Sequence, residues 1–249
     1  MYKLYYINTT SSFKQIILIA GLLLPAFVHA QNNKLGGWYI ANLNYSLNKK
    51  FVLFGELQAR SQQVANDFYY HEIKAGAQYN LPGKNSLFIG TGDYQTYNFP
   101  GNFKRPSAIK EFRIWEQFVL NNNIDRIKIE HRYRIEQRWL NGVYSNRFRY
   151  RINPVVPLNH STVIPKTLFA TAFDEVFFTN KAPYFLRNRF FAGAGYKFTS
   201  AFTLQMGFIR QFDYRKTDDG SGKNYIQTSL LFNINHTEAP KETHPSTLD

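Results

Sequence analysis

Between Arg126 and Trp139 the chain alternates charge with hydrophobicity at almost every step. One set of positions holds Arg126, Lys128, Glu130, Arg132, Arg134, Glu136 and Arg138. The other holds Ile127, Ile129, His131, Tyr133, Ile135, Gln137 and Trp139. A helix would scatter these charges around its axis, whereas a strand puts them all on one side. A strand of this length can cross a bilayer. Its charged face must be enclosed by something that does not strip it of polar partners.

The same period of two recurs along the chain. Phe51 to Ser61 opposes Leu53 and Leu57 to Glu56, Gln58 and Arg60. Tyr69 to Leu81 opposes Ile73 and Ala75 to Glu72 and Lys74. Lys110 to Leu120 opposes Phe112 and Ile114 to Glu111, Arg113 and Gln117. Tyr144 to Ile152 opposes Phe148 and Tyr150 to Arg147, Arg149 and Arg151. Leu186 to Phe198 opposes Phe190 and Tyr196 to Arg187, Arg189 and Lys197. Weaker alternation covers Gly37 to Leu47, Ser86 to Thr96, Lys166 to Phe178, Ala201 to Phe212 and Asn224 to Ile234. The pattern predicts an all-β fold, an antiparallel up-and-down transmembrane β-barrel of 10–12 strands. Eleven segments are found. Single-chain bacterial barrels use an even number, so either one segment is not a strand or 31–36 supply part of another, and ten or twelve strands are expected, with twelve favoured.

Short turns are expected at Asn48 to Lys50, Pro82 to Asn85, Asn121 to Asn123 and Thr199-Ser200, with a looser one at Pro157 to Pro165. Longer loops are expected at Gln62 to Phe68, Tyr97 to Ile109, Thr179 to Phe185 and Asp213 to Lys223. Short periplasmic turns facing longer outer loops are usual in such barrels. That would put the end of the last strand in the periplasm and the start of the first on the outer side. Interfacial girdles are expected from Tyr69, Tyr70, Tyr97, Phe99, Trp139, Tyr144, Phe177, Phe178, Tyr184, Phe185, Phe212 and Tyr214.

Composition agrees with this. Aromatic residues make up 17%, yet the mean hydropathy is only −0.39, as expected when every second residue faces lipid. Residues 1–30 read as a cleaved signal peptide. Lys3 and Lys14 precede the apolar core Ile16 to Leu24, Pro25 follows, and Val28-His29-Ala30 suits cleavage before Gln31. The barrel is expected over 31–235 and a disordered polar tail over 236–249. The absence of cysteine excludes thiolate chemistry, disulfides and a lipoprotein anchor. Loss of the leader lowers the formal charge of +13 by two, and the remainder suits anionic partners.

Several stretches together resemble the outer-membrane barrel proteins of domain-of-unknown-function family 2490. They are Gly37-Trp38, Glu111-Phe-Arg-Ile-Trp-Glu-Gln117, Glu130-His-Arg-Tyr-Arg-Ile-Glu-Gln-Arg138, Arg147-Phe-Arg-Tyr-Arg151, Glu175-Val-Phe-Phe178 and Asn188-Arg-Phe190. The resemblance implies a location and a fold and leaves the activity open.

The candidate site is the charged interior. The acids assigned inward are Glu56, Glu72, Asp93, Glu111, Glu130, Glu136 and Glu175. The bases are Arg60, Lys74, Arg113, Arg126, Lys128, Arg132, Arg134, Arg138, Arg147, Arg149, Arg151, Arg187, Arg189 and Lys197. Glu116 and Arg210 face outward and are placed near an interface. The interior then carries seven more positive than negative charges. Arginine suits such a place because its planar fork pairs with carboxylates and keeps its charge. The leading reading is a lumen filled by an Arg/Glu network, with a structural or surface role. One alternative is a narrow anion-favouring pore or polar-solute channel. The other is an outer-membrane hydrolase, for which His131 and the nearby Ser145 make an incomplete set. No catalytic residues, metal or cofactor are expected. Asp218-Asp219-Gly220 lacks the spacing of a calcium loop. The expected partners are outer-membrane lipid and lipopolysaccharide, with a small anionic solute as the alternative. Nucleic acid is not expected, because strand geometry puts the bases and the aromatics of Arg147 to Arg151 on opposite faces. The sequence leaves the oligomeric state open.

Overall fold

The computed structural model describes residues 35–235 apart from 216 and 218. The signal peptide and the polar tail expected from the sequence lie outside the described residues.

Eleven strands follow one another: β1 (Gly36–Ser46), β2 (Phe51–Gln63), β3 (Asn66–Asn80), β4 (Ser86–Thr96), β5 (Ile109–Ile124), β6 (Ile127–Leu140), β7 (Val143–Pro157), β8 (Thr167–Thr179), β9 (Phe185–Lys197), β10 (Phe202–Tyr214) and β11 (Gly220–Asn235). Each pairs with its chain neighbours, and β1 pairs with β11 to close a barrel. Closure leaves no sheet edge unpaired. Among the described residues no helix is long and apolar enough to cross a membrane.

The even count expected from the sequence is corrected here, and the seam explains how. β1 and β11 start at the same end, so they meet in parallel, from Gly36↔Tyr225 to Ser46↔Asn235. All other pairs are antiparallel. A parallel ladder uses the same backbone donors and acceptors in a slanted pattern, so an odd number of strands closes. The seam also keeps the faces in phase. Trp38 and Gln227 sit opposite each other, as do Ile40 and Ser229, and all four are buried inside.

The register tilts strongly. From Ser46 the paired positions run through Val52, Gln78, Phe88, Gln117, Arg134, Arg149, Phe177, Arg187 and Asp213 to Ser221. That point lies beyond the Tyr225 that faces Gly36. The climb around the barrel therefore exceeds the whole length of β1, as strand tilt in a closed barrel requires.

The turns differ from the expected set. At the β5–β6 connection the strands run past Asn121 to Asn123 and turn at Asp125-Arg126, with Asp125 at φ 51°. The asparagines stay in the strand because the preceding connection holds them. Asn121 donates to the Lys84 carbonyl at 2.6 Å, and the Asn85 side chain accepts from the Asn121 N–H at 3.0 Å. The β2–β3 hairpin turns at Val64-Ala65 rather than over Gln62 to Phe68. The β6–β7 hairpin turns at Asn141-Gly142, both at positive φ, the conformation that a two-residue hairpin favours. One end of the barrel thus carries two two-residue hairpins and the long connection 97–108, and the other carries one such hairpin and the long connection 158–166. The expected alternation of loop length is absent.

The outer face is apolar, with Leu57, Ile73, Ile89, Ile135, Phe190 and Met206 among its exposed side chains. Aromatic chains run along it near both ends. Phe112, Trp139 and Tyr144 are in ring contact at one end, and Phe198, Phe202 and Phe232 at the other. The inner face is only partly charged. Trp38, Ile40, Phe173, Phe191, Ile209 and Tyr225 form one apolar cluster, and Phe54, Phe88 and Trp115 another. A third joins Val155 and Phe169 to Val163 from the connection 158–166, which folds into that end. Glycines make room for the rings. A Cβ at Gly90 would lie 2.4 Å from Trp115, and one at Gly195 would lie 2.2 Å from Phe169.

Candidate functional site: the charged interior

Alternation on β6 and β7 sends every second side chain inward. The register sets Arg132 opposite Arg151, Arg134 opposite Arg149 and Glu136 opposite Arg147. Like charges in directly opposed positions repel, so carboxylates must lie between them. Glu136, from β6, accepts from Arg147 Nε at 2.6 Å and Arg149 Nη1 at 2.7 Å, with Arg134 Nη1 at 3.6 Å. Glu175, from β8, takes Arg132, Arg149 Nη2 at 2.8 Å and Arg189 Nη1 at 3.6 Å. Glu130 accepts from Arg151 at 3.0 Å and lies 3.8 Å from Lys128. On β5, Glu111 takes Arg113 at 2.6 Å and also Arg138. Across the barrel Lys74 bridges Glu56 at 2.5 Å and Glu72 at 2.7 Å.

Aromatic rings separate the charges. Arg60 lies over Trp38 at 3.5 Å and Tyr70 at 4.3 Å, and Arg113 over Tyr94 at 3.6 Å. Arg147, Arg149, Arg187 and Arg189 surround Phe177 at 4.6–5.6 Å. Cation–π contacts of this kind strengthen when desolvated. Each inward carboxylate on β5–β8 holds at least two cations, an arrangement that suits ion pairing better than general acid catalysis.

Glu56, Glu111, Arg113, Glu130, Arg132, Arg134, Glu136, Arg138, Arg147, Arg149, Arg151, Glu175 and Arg189 all point into the barrel and form these pairs. Other assignments change. Asp93 lies on the outer face of β4, where Gln95 donates to it at 2.9 Å. Arg126 is exposed in the β5–β6 turn. Asp213 pairs with Arg187 inside, and Lys223 reaches to 4.9 Å from the Tyr69 ring. Two changes of each sign cancel, so the described interior still holds fourteen bases and seven acids.

Three expected girdle residues are also interior. A bulge pairs Arg60 with Tyr70 and Ser61 with Phe68, leaving Tyr69 unpaired. Both tyrosines then turn inward, and Tyr69 meets the Tyr225 hydroxyl at 2.7 Å. Phe177 is fully buried. Glu116 does face outward, bonded to Gln137 at 3.1 Å. His131 meets the Tyr150 hydroxyl at 2.8 Å on the outer face, while Ser145 shares the inward parity of Arg147 and Arg149. Asp219 accepts from Thr217 at 2.6 Å, and Asp218 lies outside the described residues. Among the described residues no three His, Asp or Glu side chains gather as a metal site would require.

The molecule is a closed, mostly antiparallel eleven-stranded barrel with a buried Arg/Glu salt-bridge network. A family model described as "Protein of unknown function (DUF2490)" matches residues 35–222, and the chain belongs to that family. No curated protein and no solved structure matches it.

Proposed function

We propose that the protein is exported to the outer membrane, spans it as a sealed barrel, and acts as a structural or surface-presenting element. The observation that carries this reading is the inversion of the two faces. Large apolar side chains point outward all round the barrel, while arginines and glutamates are buried within. An apolar surface of that extent calls for lipid or a partner, and a closed barrel satisfies every backbone group without water. Trp38, Trp115, Phe177, Phe191 and the ion-paired arginines fill the interior, which favours a plug over a channel.

The outer-face polar residues Asp93, Gln95, Gln137, Asn146, Asn188 and Arg210 gather toward the end where β1 begins. We place that end at the outer leaflet, where headgroups and lipopolysaccharide would meet them, and Asn235 on the periplasmic side. Membrane fractionation should recover the chain with the outer membrane, starting at Gln31, and unheated samples should migrate faster than boiled ones in gels. Recovery as a soluble periplasmic protein would overturn the proposal.

A further inference from the structure

We infer that the barrel interior binds a small inorganic anion, with chloride as the simplest case, beside Arg132. The inward faces of β5 to β8 carry Arg113, Lys128, Arg132, Arg134, Arg138, Arg147, Arg149 and Arg151 against only Glu111, Glu130, Glu136 and Glu175. Every one of these carboxylates is already shared between cations. Half of the positive charge therefore has no matching negative charge on this wall, in a place that water screens poorly.

Arg132 is where the shortage falls. It is 1% exposed, lies directly opposite Arg151 and shares its face of β6 with Arg134. Its Nη2 donates to Glu175, which also holds Arg149 and Arg189. Its Nε and Nη1 are buried and donate to no protein acceptor. Two neutral donors on β5 are in the same condition. Gln117 gives its Oε1 to Arg134, at 2.9 and 2.8 Å, while its own Nε2 lacks an acceptor, as does Trp115 Nε1. Arg132 and Gln117, diagonal neighbours across the β5–β6 pairing, thus bring guanidinium and amide donors without acceptors together among surplus buried positive charge, the chemistry that receives an anion. The free Arg132 donors lie on opposite edges of the fork, so one small anion meets one of them.

The experiment is thermal unfolding of the refolded chain in detergent, in sodium chloride against sodium gluconate at matched ionic strength. Chloride should raise the midpoint saturably and gluconate, too large for a packed interior, should not. Arg132→Met should weaken the apparent chloride affinity by about tenfold or more, read as the difference between its own chloride and gluconate curves. Gln117→Leu retains the arginines and should shrink the difference between its own chloride and gluconate curves, which keeps the test open if the arginine variant does not fold. Coincident chloride and gluconate curves for the unmodified chain would overturn the inference. So would a full chloride response in both variants.

Discussion

Glu136→Gln should lower the stability of the barrel by about 3–5 kcal/mol, the usual cost of breaking a buried ion pair by removing one partner. Glu136 is fully buried and holds Arg147, Arg149 and Arg134 together. Glutamine keeps the shape and one acceptor but leaves three arginines facing one another. Urea titration of the chain refolded into lipid vesicles would read the loss. Asp93→Asn, on the outer face beside Gln95, should change little in the same assay. Equal effects of the two changes would mean that the interior network does not hold the barrel together.

Leu57→Arg should cost about 2–4 kcal/mol, the penalty for a lipid-facing arginine near the bilayer midplane. Leu57 is 56% exposed on the outer face of β2, midway along the strand and paired with the apolar Ala41 and Ile73. In an ordinary aqueous setting an exposed leucine would tolerate arginine with little loss, so the size of the effect reports the solvent that surrounds the barrel. Leu158→Arg, in the connection after β7, should cost at most about 1 kcal/mol, as near an interface. Folding into vesicles followed by gel mobility would measure both. A harmless Leu57→Arg would remove lipid from that face.

Side-chain contrast decided how much of this could be read in advance. On β6 every charged residue points one way, so both the strand and its facing follow from the residues alone. On β8, Phe177 and Phe178 stand together on opposite faces, and two adjacent rings give no contrast to read. On β4 the inward positions include Gly90 and Gly92, because Phe88, Trp115 and Tyr94 occupy the space. Thr91 and Asp93 then look like the polar, interior face when they are the outer one. The bulge at Tyr69 breaks the period of two locally. Asn121 to Asn123 have the composition of a turn, and contacts from the neighbouring connection keep them extended. Eleven segments were legible in the sequence, but how an odd number closes was not, because a parallel seam leaves no mark on either strand.

The claim that the barrel is sealed meets its most direct test in planar-bilayer conductance, with insertion verified by tryptophan fluorescence. The unmodified chain should show no channel steps above leak in molar potassium chloride, because Trp38, Trp115, Phe177 and the ion-paired arginines fill its interior. Reproducible, anion-selective openings that depend on Arg132, Arg134 and Arg149 would contradict the account and make the barrel a pore.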